Sequence, residues 1–140
     1  MTRASADDLL ILGGRQRRAE TLRGDEEDIY GEAVALVLNT DDFECREVVG
    51  YRTPADACAS DAPTGVFKAG SVQGDHIYTC TQTEVLVWSA KSFELLVRIT
   101  KPFFNDIHHV APTPRGTLLV VVTGLDLVVE LSMDGEVVRE

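Results

Sequence analysis

The run Asn105-Asp106-Ile107-His108-His109 holds the side chains best equipped for chemistry in this chain. In an extended strand Asp106 and His108 share a face, with Cα atoms roughly 6.6 Å apart at about 3.3 Å rise per residue. A carboxylate and an imidazole so spaced can give an oxygen and a nitrogen to one metal ion. They can equally form a pair in which Asp106 orients His108 as a general base. Asp106 and His108 are therefore the candidate metal ligands, and His108 the candidate catalytic residue. Asn105, at the strand's start, offers a carbonyl oxygen suited to Ca2+, so the cofactor reading is Ca2+ or another divalent metal. Adjacent strand residues point to opposite faces, so His108 and His109 cannot chelate one ion while the backbone stays extended. A structural role competes with these. Asp106 can accept backbone N–H bonds in the preceding turn while a histidine bridges neighbouring sheets. Asn105, Asp106, His108 and His109 form the candidate ligand-binding set.

Other residues carry weaker signals. Cys45, Cys58 and Cys80, spaced by 13 and 22, make neither a metal clip nor a disulfide framework. They read as reduced thiols, Cys80 as a small core residue. Thr81, Thr83 and Glu84 read as turn residues that fix hairpin geometry. Trp88 reads as a packing residue between sheets, with a sugar-stacking platform as its alternative. Arg15, Arg17 and Arg18 read as a solvated loop face. Nucleotide loops, the hydrolase nucleophile elbow and the zincin helix are missing from the sequence.

The elements that must position these residues are strands. Short apolar runs recur at Leu9–Leu12, Ala33–Leu38, Phe43–Tyr51, Val66–Val72, His76–Thr81, Glu84–Ser89, Phe93–Thr100, Ile107–Ala111, Thr117–Thr123, Asp126–Leu131 and Glu136–Arg139. Gly, Pro, Asn and Asp punctuate them, and no segment carries a 3.6-residue stripe, which predicts an all-β fold. Two stretches interrupt the pattern. Residues 15–32 are charged or small and predict a long solvated loop, mobile or briefly helical. Residues 52–64, rich in Ala, Asp and Pro, predict a linker.

A repeat organises the strands. Glu84–Leu96 aligns with Asp126–Val138 at an offset of 42, and Ala35–Glu44 falls in the same frame at an offset of 50. That interval matches one four-stranded propeller blade. Leu118, Val120 and Val122 alternate with Leu119, Val121 and Thr123, so both faces of that strand are apolar, as in sheets stacked face to face. The chain thus predicts a β-propeller segment of about three four-stranded antiparallel blades, the first incomplete. Blade 1 is about 7–51, the linker 52–64, blade 2 about 65–100 and blade 3 about 105–140. Closed propellers usually have four to eight blades, so the chain is expected to pair as a homodimer or to belong to a longer propeller. The outer face of the last blade would then expose either Val120, Val122 and Val128 or Leu119, Val121 and Val129.

The Asn105–Val110 segment, followed by Gly116–Asp126, resembles bacterial propellers of the NHL, SMP-30 and arylsulfotransferase-like group, which carry a D-x-H-H-x … G-x-L-L-V … T-G blade. The resemblance covers residues 66–140. It implies a site at the channel mouth that binds Ca2+ or a transition metal, or a channel histidine in catalysis. Trp88-Ser89 stands where WD-repeat proteins place Trp-Asp, but the aspartate and the preceding Gly-His pair are missing.

Charge and length bound the rest. The 140 residues carry 13 basic and 23 acidic side chains, a net charge of −10. That disfavours nucleic acid and anionic membranes as partners. No apolar run reaches the roughly 20 residues of a membrane span, and the start lacks a secretory apolar core, so the expected location is cytoplasmic. The functional expectation is a binding scaffold for a small-molecule or protein ligand at the channel mouth. The alternative is part of a metal-dependent propeller enzyme, a hydrolase, lyase or sulfotransferase, using Asp106 and His108.

Overall fold

Eleven strands in three antiparallel sheets make up this computed structural model, which describes residues 8–17, 29–57 and 64–140. The first sheet is β1 (Asp8–Gln16), β2 (Tyr30–Asn39) and β3 (Cys45–Tyr51). The second is β4 (Ala69–Gln73), β5 (His76–Cys80), β6 (Glu84–Ser89) and β7 (Leu95–Thr100). The third is β8 (Ile107–Pro112), β9 (Leu118–Val122), β10 (Leu127–Leu131) and β11 (Val137–Arg139). Each sheet is a meander whose neighbouring strands follow one another in the chain. Single 3-10 turns lie at Ala55–Ala57 and Thr123–Leu125. No helix among the described residues is long and apolar enough to cross a membrane.

The predicted solvated loop is shorter than the charge pattern suggests. β1 and β2 stay paired through Arg15 and Glu32, and Arg17 N donates to Ile29 O at 2.7 Å. Opposite charges placed directly across an antiparallel ladder attract, which lets the ladder run on through polar residues. Arg15 pairs with both Glu32 and Glu47. Arg18 and the rest of 18–28 lie outside the described residues, as do Cys58 and residues 58–63 of the expected linker.

The hairpin before each sheet's last strand shows the repeat in backbone terms. Asn39 N donates to Glu44 O, and Ser89 N to Glu94 O, both at 2.9 Å. Asn39 Oδ1 accepts from the amides of Asp41 and Asp42, and Ser89 Oγ from those of Lys91 and Ser92. Phe43 and Phe93 take left-handed backbone at φ +59° and +58°. In the third sheet Ser132 N donates to Glu136 O, and Gly135 takes the left-handed position at φ +83°. This hairpin is one residue shorter. The structural offset from Ser89 to Ser132 is therefore 43, against the 42 expected from aligning acids with acids. One residue matters, because it exchanges the faces of a strand.

With that frame the three sheets stack in one sense. Ala35 and Val37 of β2 correspond to Val85 and Val87 of β6 and to Val128 and Glu130 of β10. Each pair lies on the face that leads toward the following sheet, called here the forward face. Leu36 and Leu38 correspond to Leu86 and Trp88 and to Val129 and Leu131, on the rear face. The forward face of the first sheet meets the rear face of the second in a core of Ala33, Ala35, Val49, Phe67, Ile77, Leu86 and Trp88. The forward face of the second meets the rear face of the third through Tyr78, Cys80, Val85, Val87, Ile99, Val110, Val120 and Val129. β6, shared by both cores, is buried on both sides. Trp88 fills the first interface, edge-on to Tyr51 and Phe67 at centroid distances of 5.6 and 6.1 Å, and its indole N–H donates to Thr79 Oγ1. Trp88 thus packs between sheets, as its sequence context predicts.

The forward face of the third sheet carries Leu119, Val121 and Val128. Val121 pairs with Val128, and Val120 with Val129. This corrects both expected exposed sets, which mixed residues from opposite faces.

Gly65 marks where the chain enters the second sheet. Its N–H donates to Tyr30 O, and a Cβ there would stand 2.4 Å from the Glu32 amide nitrogen. Any side chain at 65 would push this segment off β2.

Candidate functional site

Asp106 does not belong to the strand that its spacing with His108 presumes. It sits just before β8 in left-handed backbone at φ +53°. β8 then bulges, since Ile107 pairs with Val122 and His109 already pairs with Val121. His108 is the extra residue. A bulge re-aims a side chain, and here His108 and His109 both become exposed between buried Ile107 and Val110. This corrects the extended geometry expected from sequence. The turn and the bulge still bring Asp106 and His108 together, with His108 Nε2 3.0 Å from Asp106 Oδ2.

The third member of the cluster comes from another sheet. Lys68, directly before β4, donates from Nζ to Asp106 Oδ1 at 2.7 Å. Lys68 and Asp106 are each about one-quarter exposed, whereas His108 is half exposed. The β5–β6 hairpin aligns the two strand starts, because Cys80 O accepts Lys68 N–H and Gln82 O accepts Ile107 N–H. Partial burial pushes the Asp106 carboxyl up, but the Lys68 ammonium and the His108 imidazole outweigh it. The net effect holds Asp106 below the usual carboxylate range.

Asn105 and His109 do not join this cluster. The Asn105 carbonyl accepts from Gly124 N–H at 3.1 Å, and Asp106 O accepts from Thr123 N–H at 3.0 Å. A Cβ on Gly124 would lie 2.8 Å from Asn105, so the two residues lock the β9–β10 loop against the start of β8. His109 faces outward beside Val121.

These residues do not fit the divalent cation that the family resemblance implies. Both Asp106 oxygens already have partners, one of them the Lys68 ammonium, whose positive charge beside the carboxylate opposes a bound cation, and the Asn105 backbone carbonyl accepts from Gly124 N–H. No group of three His, Cys, Asp or Glu side chains among the described residues could hold a metal. The arrangement can instead present a half-exposed imidazole, held by a carboxylate that an ammonium keeps ionised. An imidazole so held can donate or accept a hydrogen bond at its free nitrogen.

A second polar centre is hidden in sequence. Glu84 is fully buried at the start of β6. Its Oε1 accepts from Tyr51 O–H and from Arg98 Nε, each at 2.7 Å, and Thr81 Oγ1 lies 3.4 Å from Oε2. Arg98 also reaches Asp56 at 2.8 Å. Burial, then the Glu84 carboxylate, raises the pKa of the Tyr51 phenol, and Glu84 likewise strengthens the hold of Arg98 on its proton. The network clamps β3, the Ala55–Ala57 turn and the second sheet together. Every contact is satisfied within the protein, so it is structural. Cys80 is also a core group, its thiol pushed up to about 12 by burial.

The chain matches no protein-family model and no curated protein.

Proposed function

We propose that the chain is a β-propeller segment serving as a binding scaffold, with its ligand site at the end of the sheets where β4 and β8 begin. The observation that carries this is the Lys68–Asp106–His108 chain of contacts, which joins the starts of two consecutive sheets and leaves an imidazole open to solvent. Three meanders stacked in one sense support the blade reading, as does the way β8 runs against β4 and β5, with first strands converging. Residues at the starts of innermost strands line a channel mouth in such an architecture. Lys68, Asp106 and His108 bind a small polar molecule or a protein loop there. Asp106 holds the imidazole and Lys68 sets its charge balance.

Nuclear magnetic resonance with a panel of small polar fragments tests the site. Amide shifts are expected to cluster at residues 67–69, 105–109 and 123–125, and to vanish in His108→Ala with the remaining spectrum unchanged. Shifts scattered over the surface, or unaffected by that substitution, would refute the assignment.

A further inference from the structure

The described sheets end in two faces of opposite sense. Inside the chain, a forward face meets a rear face twice. The first sheet leaves its rear face uncovered by the described residues, with Leu9 and Ile11 54% and 41% exposed. The third leaves its forward face uncovered, with Leu119 and Val128 40% and 53% exposed. Isolated exposed leucines are ordinary, but here exposed aliphatic residues sit side by side on two sheet faces of opposite sense, with His109 and Glu130 the polar residues of the forward one. Like faces would not reproduce the packing seen within the chain. A forward face on a rear face would.

We infer that the forward face of the third sheet docks on the rear face of the first sheet of a second copy, head to tail. Two copies can make this contact twice around a two-fold axis, which brings six sheets into one ring and leaves no face open. The register gives the opposed positions. Val85 and Val87 face the third sheet inside the chain, and Val128 and Glu130 take their places at the new contact. Leu86 and Trp88 face the first sheet, and Leu36 and Leu38 take theirs. Glu130 replaces a valine but does not bring a bare charge, because Arg115 and Thr117 satisfy its carboxylate. This inference rests on the stacking and not on the ligand site.

Two blocking variants test it. Ile11→Lys places an ammonium on the rear face, and Leu119→Lys places one on the forward face. Light scattering after size exclusion at tens of micromolar should give twice the chain mass for the wild type. Each variant alone should run as a monomer with an unchanged circular dichroism spectrum. An equimolar mixture of the two should recover a one-to-one complex, because each supplies the face that the other lacks. A wild-type monomer would overturn the inference. So would a variant that still dimerises alone, which would mean like faces meet, or a mixture that stays monomeric.

Discussion

Lys68 Nζ lies 2.7 Å from Asp106 Oδ1, so the residue before the second sheet's first strand is ion-paired to the residue before the third's. Both side chains are largely shielded, so the pair is screened less than a surface bridge. It therefore contributes both to stability and to the charge state of the site.

Its pH dependence has a definite sign. The folded-state pKa of Asp106 is depressed, so its contribution is complete above the ordinary carboxylate value near 4 and is lost as pH falls through the lower folded value. Asp106→Asn should cost about 1 kcal/mol at neutral pH. The stability gap between wild type and variant in thermal melts should be constant from pH 7 to about 5 and narrow as pH falls below about 4. A gap that widens on acidification would contradict the ion pair.

Removing Arg98 leaves the fully buried Glu84 without its cation. Arg98→Ala should lower stability by about 3 kcal/mol, and the double variant Arg98→Ala/Glu84→Gln should recover part of that, since the amide carries no charge to strand. Urea unfolding measures both. A single-variant loss under about 1 kcal/mol would mean the network is dispensable.

Phe43 and Gly135 occupy equivalent left-handed positions with opposite consequences. Phe43 is three-quarters exposed at φ +59°, so Phe43→Gly gives up little packing and removes backbone strain. It should raise stability by about 0.5–1 kcal/mol after the added freedom of the unfolded chain is counted. Gly135→Ala should cost about 1–2 kcal/mol, because it adds that strain and places a Cβ 2.9 Å from Ile99 Cγ2. Midpoints in guanidinium give both signs.

Thiol labelling separates the cysteines. Cys45 is exposed and Cys80 is buried with its thiol pushed up to about 12. In a Cys58→Ser background, one thiol should react promptly with a chromogenic disulfide and the second only on unfolding. Two fast equivalents would show that the interface between the second and third sheets opens readily.

The strands were legible because their signals are local. The run Glu84–Ser89 coincides with β6, and the other runs fall within a few residues of the observed strands. Turn chemistry at Asn39, Ser89 and Ser132 marks the same hairpin in each sheet. The face assignment of β10 was not legible, because aligning Asp126 with Glu84 hides the hairpin that is one residue shorter. The pairing of Asp106 with His108 could be read from their spacing, though a bulge and a left-handed residue produce it. Lys68 could not be found, since it lies 38 residues away and meets Asp106 only through sheet stacking. Glu84 reads as a turn residue because burying a carboxylate is costly. Only the folded structure reveals the tyrosine and arginine that offset the cost.

The middle sheet has its own consequence for how the molecule comes apart. Val87 and Trp88 are neighbours in sequence, yet they belong to different cores. The first sheet can therefore open by giving up the Phe67–Trp88 cluster while the core around Val87 and Val120 stays closed. In a linear stack, stability divides into such nearest-neighbour parts. Amide protons of β2 should then exchange with solvent through partial openings that β9 does not share, with those of β6 exchanging last. With its two cores joined only through β6, the chain is expected to release its first sheet before its second and third separate.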